Sequence, residues 1–164
     1  MPSTYEVIAT STLTSSASTV TFSSISSAYT DIVAICSTTN TVSACNFAFR
    51  LNGDTTATYS RTRITGNGTS ATSGTSGAST NTYLYFGDVG NPNVPAVAQV
   101  HLMNYSNTTT YKTAIGLSGE ADIQTNGIVG IWRNTSAVNS ITFLPDANSF
   151  ASGSTFTLYG IKAA

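Results

Sequence analysis

Residues 44–53 read Ala44-Cys-Asn-Phe-Ala-Phe-Arg-Leu-Asn-Gly53, and they predict a half-buried β-strand followed by a turn. Every second side chain from Cys45 to Leu51 is apolar, whereas Asn46 and Arg50 fall on the other face. A period of two is typical of a strand with one face in a core. The dipeptide that follows Leu51 ends the strand, because Asn and Gly both favour turn conformations.

The same alternation recurs along the chain and predicts an all-β fold. The runs are short and are bounded by Gly, Asn, Ser and Pro, and no convincing amphipathic helix separates them. We therefore expect one domain over residues 1–164, an antiparallel β-sandwich of about ten short strands that is jelly-roll-like. The expected strands lie within residues 5–13, 18–25, 31–36, 44–51, 83–86, 96–105, 111–117, 127–132, 138–144 and 155–161.

Residues 66–80 interrupt this pattern, because they contain only Gly, Asn, Thr, Ser and Ala. No large apolar side chain is present to anchor the segment in a core. A long loop of this composition costs little in closure entropy. We therefore predict a flexible Gly/Ser/Thr-rich loop at about 66–80.

The chain is polar without being charged. Its 164 residues include 23 Ser and 29 Thr but only 6 Lys or Arg and 7 Asp or Glu, for a net charge of -1. This balance argues against a nucleic-acid partner, which requires a basic surface. The chain contains no apolar run long enough for a membrane helix and shows no signal-peptide pattern at its start, so we expect no membrane partner and synthesis in a cytoplasm.

The two cysteines allow two interpretations. If a two-residue turn lies at Asn40-Thr41, Cys36 and Cys45 face each other across a hairpin, and a structural disulfide becomes possible. The alternative is a pair of small buried thiols, as expected of a cytoplasmic product. Two cysteines and the distant His101 do not provide the four closely spaced ligands of a zinc site, so no metal site is predicted.

Few side chains offer catalytic chemistry. Glu120 and Asp122 are the closest acid pair; on one face of a strand they could hold a hard cation, or they could simply make a loop soluble. His101 could belong to a Ser-His-Asp constellation, but the chain has no Gly-x-Ser-x-Gly turn, and a structural role is the alternative. We expect no enzyme activity, no catalytic residue and no cofactor.

Aromatic side chains are the remaining candidates for ligand contact. Trp132 could face a ligand, by stacking on a sugar ring or by anchoring a protein interface. The tyrosines at positions 83, 85, 105 and 111 could act in the same way. The alternative is that all of these rings fill the core of the sandwich.

Several short segments together resemble known sequences. They are Val20-Thr-Phe22, Tyr29-Thr-Asp-Ile-Val33, Phe49-Arg-Leu-Asn-Gly-Asp54, Tyr59-Ser60, Met103-Asn-Tyr-Ser-Asn107, Tyr111-Lys-Thr113, Gly130-Ile-Trp-Arg-Asn-Thr135, Ser140-Ile-Thr-Phe143 and Gly153-Ser-Thr-Phe-Thr-Leu-Tyr-Gly-Ile-Lys162. These segments resemble a family of small virion proteins of tailed bacteriophages, including cyanophages. The similarity covers most of the chain except the 66–80 segment.

The resemblance implies a capsid cement or decoration protein, made in the host cytoplasm and placed on the capsid exterior. Its expected partners are the major capsid protein and further copies of itself, as a homotrimer or a homodimer. It would bind the assembled lattice and stabilise it through several simultaneous contacts. The alternatives are a tail or baseplate adhesin domain that binds host polysaccharide through aromatics such as Trp132 and, less favoured, a glycan-active enzyme that uses Glu120 or Asp122.

Overall fold

The computed structural model describes residues 4–162, with the backbone alone described at 78–80. Within these residues the fold is all-β, and no helix is long and apolar enough to cross a membrane. The strands, numbered β1 to β12 in chain order, are Tyr5–Thr12, Val20–Phe22, Asp31–Thr38, Cys45–Leu51, Tyr59–Gly66, Ala71–Asn81, Leu84–Val89, Ala96–Met103, Lys112–Glu120, Gln124–Trp132, Ile141–Pro145 and Thr155–Ile161.

The strands form two antiparallel sheets. The larger sheet has the order β1-β12-β3-β8-β9-β10-β5-β6, and the smaller has the order β2-β11-β4-β7. The set β1-β12-β3-β8 together with β2-β11-β4-β7 has the strand order of a jelly roll, in which two Greek keys form a sandwich. The hairpins β5–β6 and β9–β10 continue the larger sheet beyond β8. The predicted sandwich is confirmed, with twelve strands where the sequence indicated about ten.

Aromatic rings join the two sheets in the core. Phe143 of β11 stacks on Phe156 of β12 with ring centroids 5.8 Å apart, and Phe47 of β4 stacks on Phe143 at 5.6 Å. The apolar face predicted for 45–51 is confirmed, because Phe47, Phe49 and Leu51 are all buried. Each such side chain stabilises the fold by about 1.5–3 kcal/mol relative to an exposed position.

Strand β7 covers the inner side of β9 and β10, where there is little room for side chains. A Cβ atom on Gly116 would lie 2.7 Å from the Phe86 ring and 1.8 Å from the carbonyl oxygen of Gln99. On Gly130 it would lie 2.5 Å from the Leu84 side chain. Small residues are therefore required at positions 116 and 130, and the larger apolar side chains of β9 lie on the opposite face.

The predicted loop at 66–80 is wrong for most of its length. Residues 71–81 form β6, the edge strand of the larger sheet, with Thr72 opposite Thr65 and Ser76 opposite Arg61. An edge strand needs only backbone hydrogen bonds to one neighbour, so a segment without large apolar side chains can still pair. The turn before β6 is held by Asn67, whose Oδ1 accepts from the backbone N–H groups of Thr69 and Ser70.

Candidate interaction surface

The outer face is the side of the larger sheet that points away from the smaller sheet, and it is rich in exposed apolar side chains. One row across the strands runs from Ile35 on β3 through Leu117 on β9 to Ile64 on β5. Leu117 is 64% exposed and Ile64 is 65% exposed. The other exposed large apolar side chains at strand positions of this face are Tyr5, Val7, Val97, Ile115 and Val129.

This face carries almost no charge. Among the described residues, the ionisable groups at its outward strand positions, other than the tyrosines, are Asp31 and His101. They pair with each other through a 2.9 Å contact between His101 Nε2 and Asp31 Oδ2. The other oxygen of Asp31 accepts the backbone N–H of Asn104 at 2.7 Å. The predicted structural role of His101 fits this pairing, and no nucleophile hydrogen-bonds to its ring in the described part of the chain.

A groove of about 690 Å³ lies at one end of the outer face. Its floor is apolar and includes Ile35, Val97 and Leu117, while residues 66–68 and the turn at 121–124 form its rim. Of the described residues that line it, Glu120 and Asp122 are acidic and none is Lys, Arg or His. The groove therefore suits an apolar partner that brings a basic group to its rim.

The opposite end of the outer face is more polar and basic. A depression of about 390 Å³ lies there, lined by Thr and Ser side chains together with Val129 and Ile131. Arg133 stands at its edge, exposed, and its guanidinium donates to Ser60 Oγ at 2.7 Å. Asp122 and Arg133 thus lie just beyond the two ends of β10, which is about 30 Å long.

Trp132 does not face a ligand in this structure. Its side chain is only 1% exposed and stacks on Tyr59, with ring centroids 6.3 Å apart. Its indole Nε1 donates to Asp54 Oδ2 at 2.6 Å. Burial opposes ionisation of Asp54, but hydrogen bonds from Thr56, Trp132 and Thr58 together hold the pKa of this carboxyl below its ordinary value. The ring belongs to the core, which was the alternative interpretation.

Of the tyrosines that could stack on a sugar ring, all except Tyr111 pack against other parts of the chain. Tyr105 is fully buried, and Tyr83 and Tyr85 pack edge to face at 4.7 Å with their hydroxyls hydrogen-bonded. Arg61 lies over the Tyr85 ring at 4.9 Å, which covers that aromatic face. Tyr111 is exposed and lies just before β9.

The possible disulfide between Cys36 and Cys45 is wrong. Both thiols are free, with Cys36 on β3 in the larger sheet and Cys45 on β4 in the smaller one. The expected two-residue hairpin does not form, since Thr39 and Asn40 bridge instead to Gly90 and Phe150. Burial raises the pKa of the Cys36 thiol, so it is a small core side chain with little reactivity.

Glu120 and Asp122 do not form a cation site. Glu120 is 1% exposed at the end of β9, and its Oε1 accepts from Asn91 Nδ2 at 2.5 Å. Asp122 lies two residues later in the exposed turn, so the two carboxylates do not share a strand face. The described residues contain no group of three or more His, Cys, Asp or Glu placed to hold a metal ion.

The outer face was not predicted from the sequence as a site. The signal was nevertheless present, because Ile115 and Leu117 alternate with Gly116 and Ser118, so the bulk of β9 lies on one face. Neither a protein-family model nor a curated protein matches this chain. The resemblance to virion proteins of tailed phages therefore stays a prediction, and the outer face is the main structural evidence about function.

Proposed function

We propose that this protein is a non-enzymatic virion protein of a tailed bacteriophage, a decoration protein that binds the assembled capsid lattice and stabilises it. The observation that carries the proposal is the outer face, which is broad, apolar and almost uncharged. Exposed apolar patches larger than a few hundred Å² are rare on monomeric proteins and mark interaction sites. A protein with such a face is suited to an assembly.

The low charge of the chain supports a structural role in such an assembly. Burying an unpaired charge in an interface is costly, so a surface of Ile, Leu, Val and Thr can meet a partner at little desolvation cost. The resemblance of the strand segments to phage virion proteins supports a capsid location. Multivalent attachment would then raise the avidity well above the affinity of each single contact.

The polysaccharide-binding adhesin is less favoured, because it needs exposed aromatic rings to stack on sugars. Trp132 and Tyr105 are buried, and the Tyr85 ring is covered by Arg61. A glycan-active enzyme is less favoured still, because Glu120 and Asp122 lie in different environments and no paired carboxylates form in the described residues.

The test is the copy number of this chain in purified particles of the phage that encodes it. The chain should be quantified against the major capsid protein on a denaturing gel or by mass spectrometry. Many copies in a fixed ratio to the shell protein are expected for a lattice-bound decoration protein. A handful of copies would overturn the decoration role and favour a tail adhesin, whereas absence from the particle would overturn the virion assignment.

A further inference from the structure

We propose that two copies of this protein pair through the outer face, with β10 of one copy lying over β10 of its partner in the opposite direction. The proposal rests on the assembly role proposed for this face and names its first occupant, a second copy of the chain. Three properties of the face lead to this pairing: its size, the position of its apolar side chains and the position of its charges.

The size of the outer face matches what a stable dimer needs. Eight strands spaced about 4.8 Å apart, each about 27 Å long, give a projected area of about 900 Å². A standard protein interface buries about 800 Å² on each partner. Two sheets packed face to face are also a common arrangement, with strand directions within about 30° of each other.

The exposed apolar side chains lie where an interface core would be. Ile115 and Leu117 on β9 and Val129 on β10 are central in the sheet, and Ile35 and Ile64 flank them. Most of the remaining outward positions on these strands hold Thr, Ser, Gly or Gln. An apolar centre within a polar margin is the usual composition of an interface between two proteins.

The rim charges select one orientation of the pair. Asp122 lies in the turn just before β10 and Arg133 lies just after its end, so the acidic and basic ends are on opposite sides of the face. A two-fold axis that runs across the strands in the plane of the interface places Asp122 of each copy near Arg133 of the other. Such an interface is isologous and closes with two copies. The other in-plane axis, which runs along the strands, would place like ends together.

The groove at the acidic end fits the same orientation. It would receive the partner's basic end, where Arg133 is exposed and donates a hydrogen bond to Ser60. Asp122 is exposed at the rim of the groove, and the described lining contains no basic residue. The partner's guanidinium would therefore supply the positive charge that the groove lacks.

The test is the oligomeric state of the purified chain, measured by analytical ultracentrifugation across micromolar concentrations. We expect a dimer that Leu117→Arg converts to a monomer, and Val129→Arg serves as a second variant of the same kind. Val42→Arg is the matched control, because Val42 is 65% exposed in the loop between β3 and β4 and lies off the outer face. Each variant should keep the far-ultraviolet circular dichroism of the parent.

A charge swap tests the orientation. Asp122→Arg alone and Arg133→Asp alone should each raise the dimer dissociation constant about tenfold at low salt, because two symmetric pairs become repulsive. The double variant Asp122→Arg/Arg133→Asp should recover most of the lost affinity. A monomeric or trimeric parent would overturn the proposal, and so would single variants that dimerise unchanged or a double variant that is no better than the singles.

The dimer test needs no particle, so its failure can be told apart from failure of the decoration role. A monomer that is abundant in virions would leave the decoration role standing and remove the pairing. A dimer that is absent from virions would do the reverse.

Discussion

The carboxylate of Asp54 stabilises the fold through the hydrogen bonds that it accepts. Its two oxygens accept hydrogen bonds from the Thr56 backbone, from Thr58 Oγ1 and from the buried indole of Trp132. These bonds favour the ionised form and hold the pKa of Asp54 below its ordinary value against the effect of burial. The stabilisation is therefore present at neutral pH and is lost as the pH falls through the folded-state pKa.

We expect Asp54→Asn to lower the free energy of unfolding at pH 7 by about 1–3 kcal/mol, because an amide has one acceptor oxygen and leaves a buried donor unpaired. The variant should also lose part of the stability change that the parent shows below about pH 4. Urea unfolding at a series of pH values measures both effects. Val42→Asn, in an exposed loop off the outer face, is the control and should match the parent.

The tight packing around Gly116 leads to a second prediction for a single residue. Gly116→Ala should cost about 1–3 kcal/mol, because the new methyl group meets the backbone of β8 and the Phe86 ring. Gly74→Ala is a matched control on the edge strand β6, where a Cβ atom has only ordinary contact with the Arg63 side chain at 3.7 Å. Chemical denaturation of both variants compares them, and equal losses would contradict the packing described between β7 and β9.

At the scale of secondary-structure elements, β6 shows that pairing does not require apolar side chains. Residues 71–76 contain Ala, Thr, Ser and Gly and still pair with β5 in register. In an antiparallel edge strand, alternate backbone N–H groups point to the neighbour and the others point to solvent. We therefore expect alternate amides of 71–76 to exchange slowly with deuterium, as measured by NMR. Uniformly fast exchange would indicate that this segment is a loop.

At the scale of the whole molecule, one core joins the jelly roll to the extended part of the larger sheet. Its buried members include Phe47 and Phe156 from the jelly roll and Tyr59, Ile128 and Trp132 from the added hairpins. We expect a single cooperative unfolding transition, with the fluorescence of Trp132, the one tryptophan, following the same urea curve as the circular dichroism. An earlier fluorescence transition would show that the hairpins unfold separately.

A structural feature could be predicted from the sequence where its signal is local. The strand at 45–51 and its buried face were predictable, because a period of two reports strand geometry directly. The strand at 71–81 was not, because its pairing depends on β5 and not on its own side chains. The hairpin that would have made the two cysteines face each other does not form, because the chain passes from one sheet to the other between them, and no local signal marks that crossing.

The sequence by itself determined that the chain is all-β, where most strands lie, and that the molecule carries little charge. Those properties follow from side-chain period, turn residues and composition, which are local or summed over the chain. Only the tertiary structure decided that the face of β9 with the large apolar side chains is left uncovered. Burial depends on strands distant in sequence, and here β7 packs against the side of β9 that carries Gly116, so that Ile115 and Leu117 face outward.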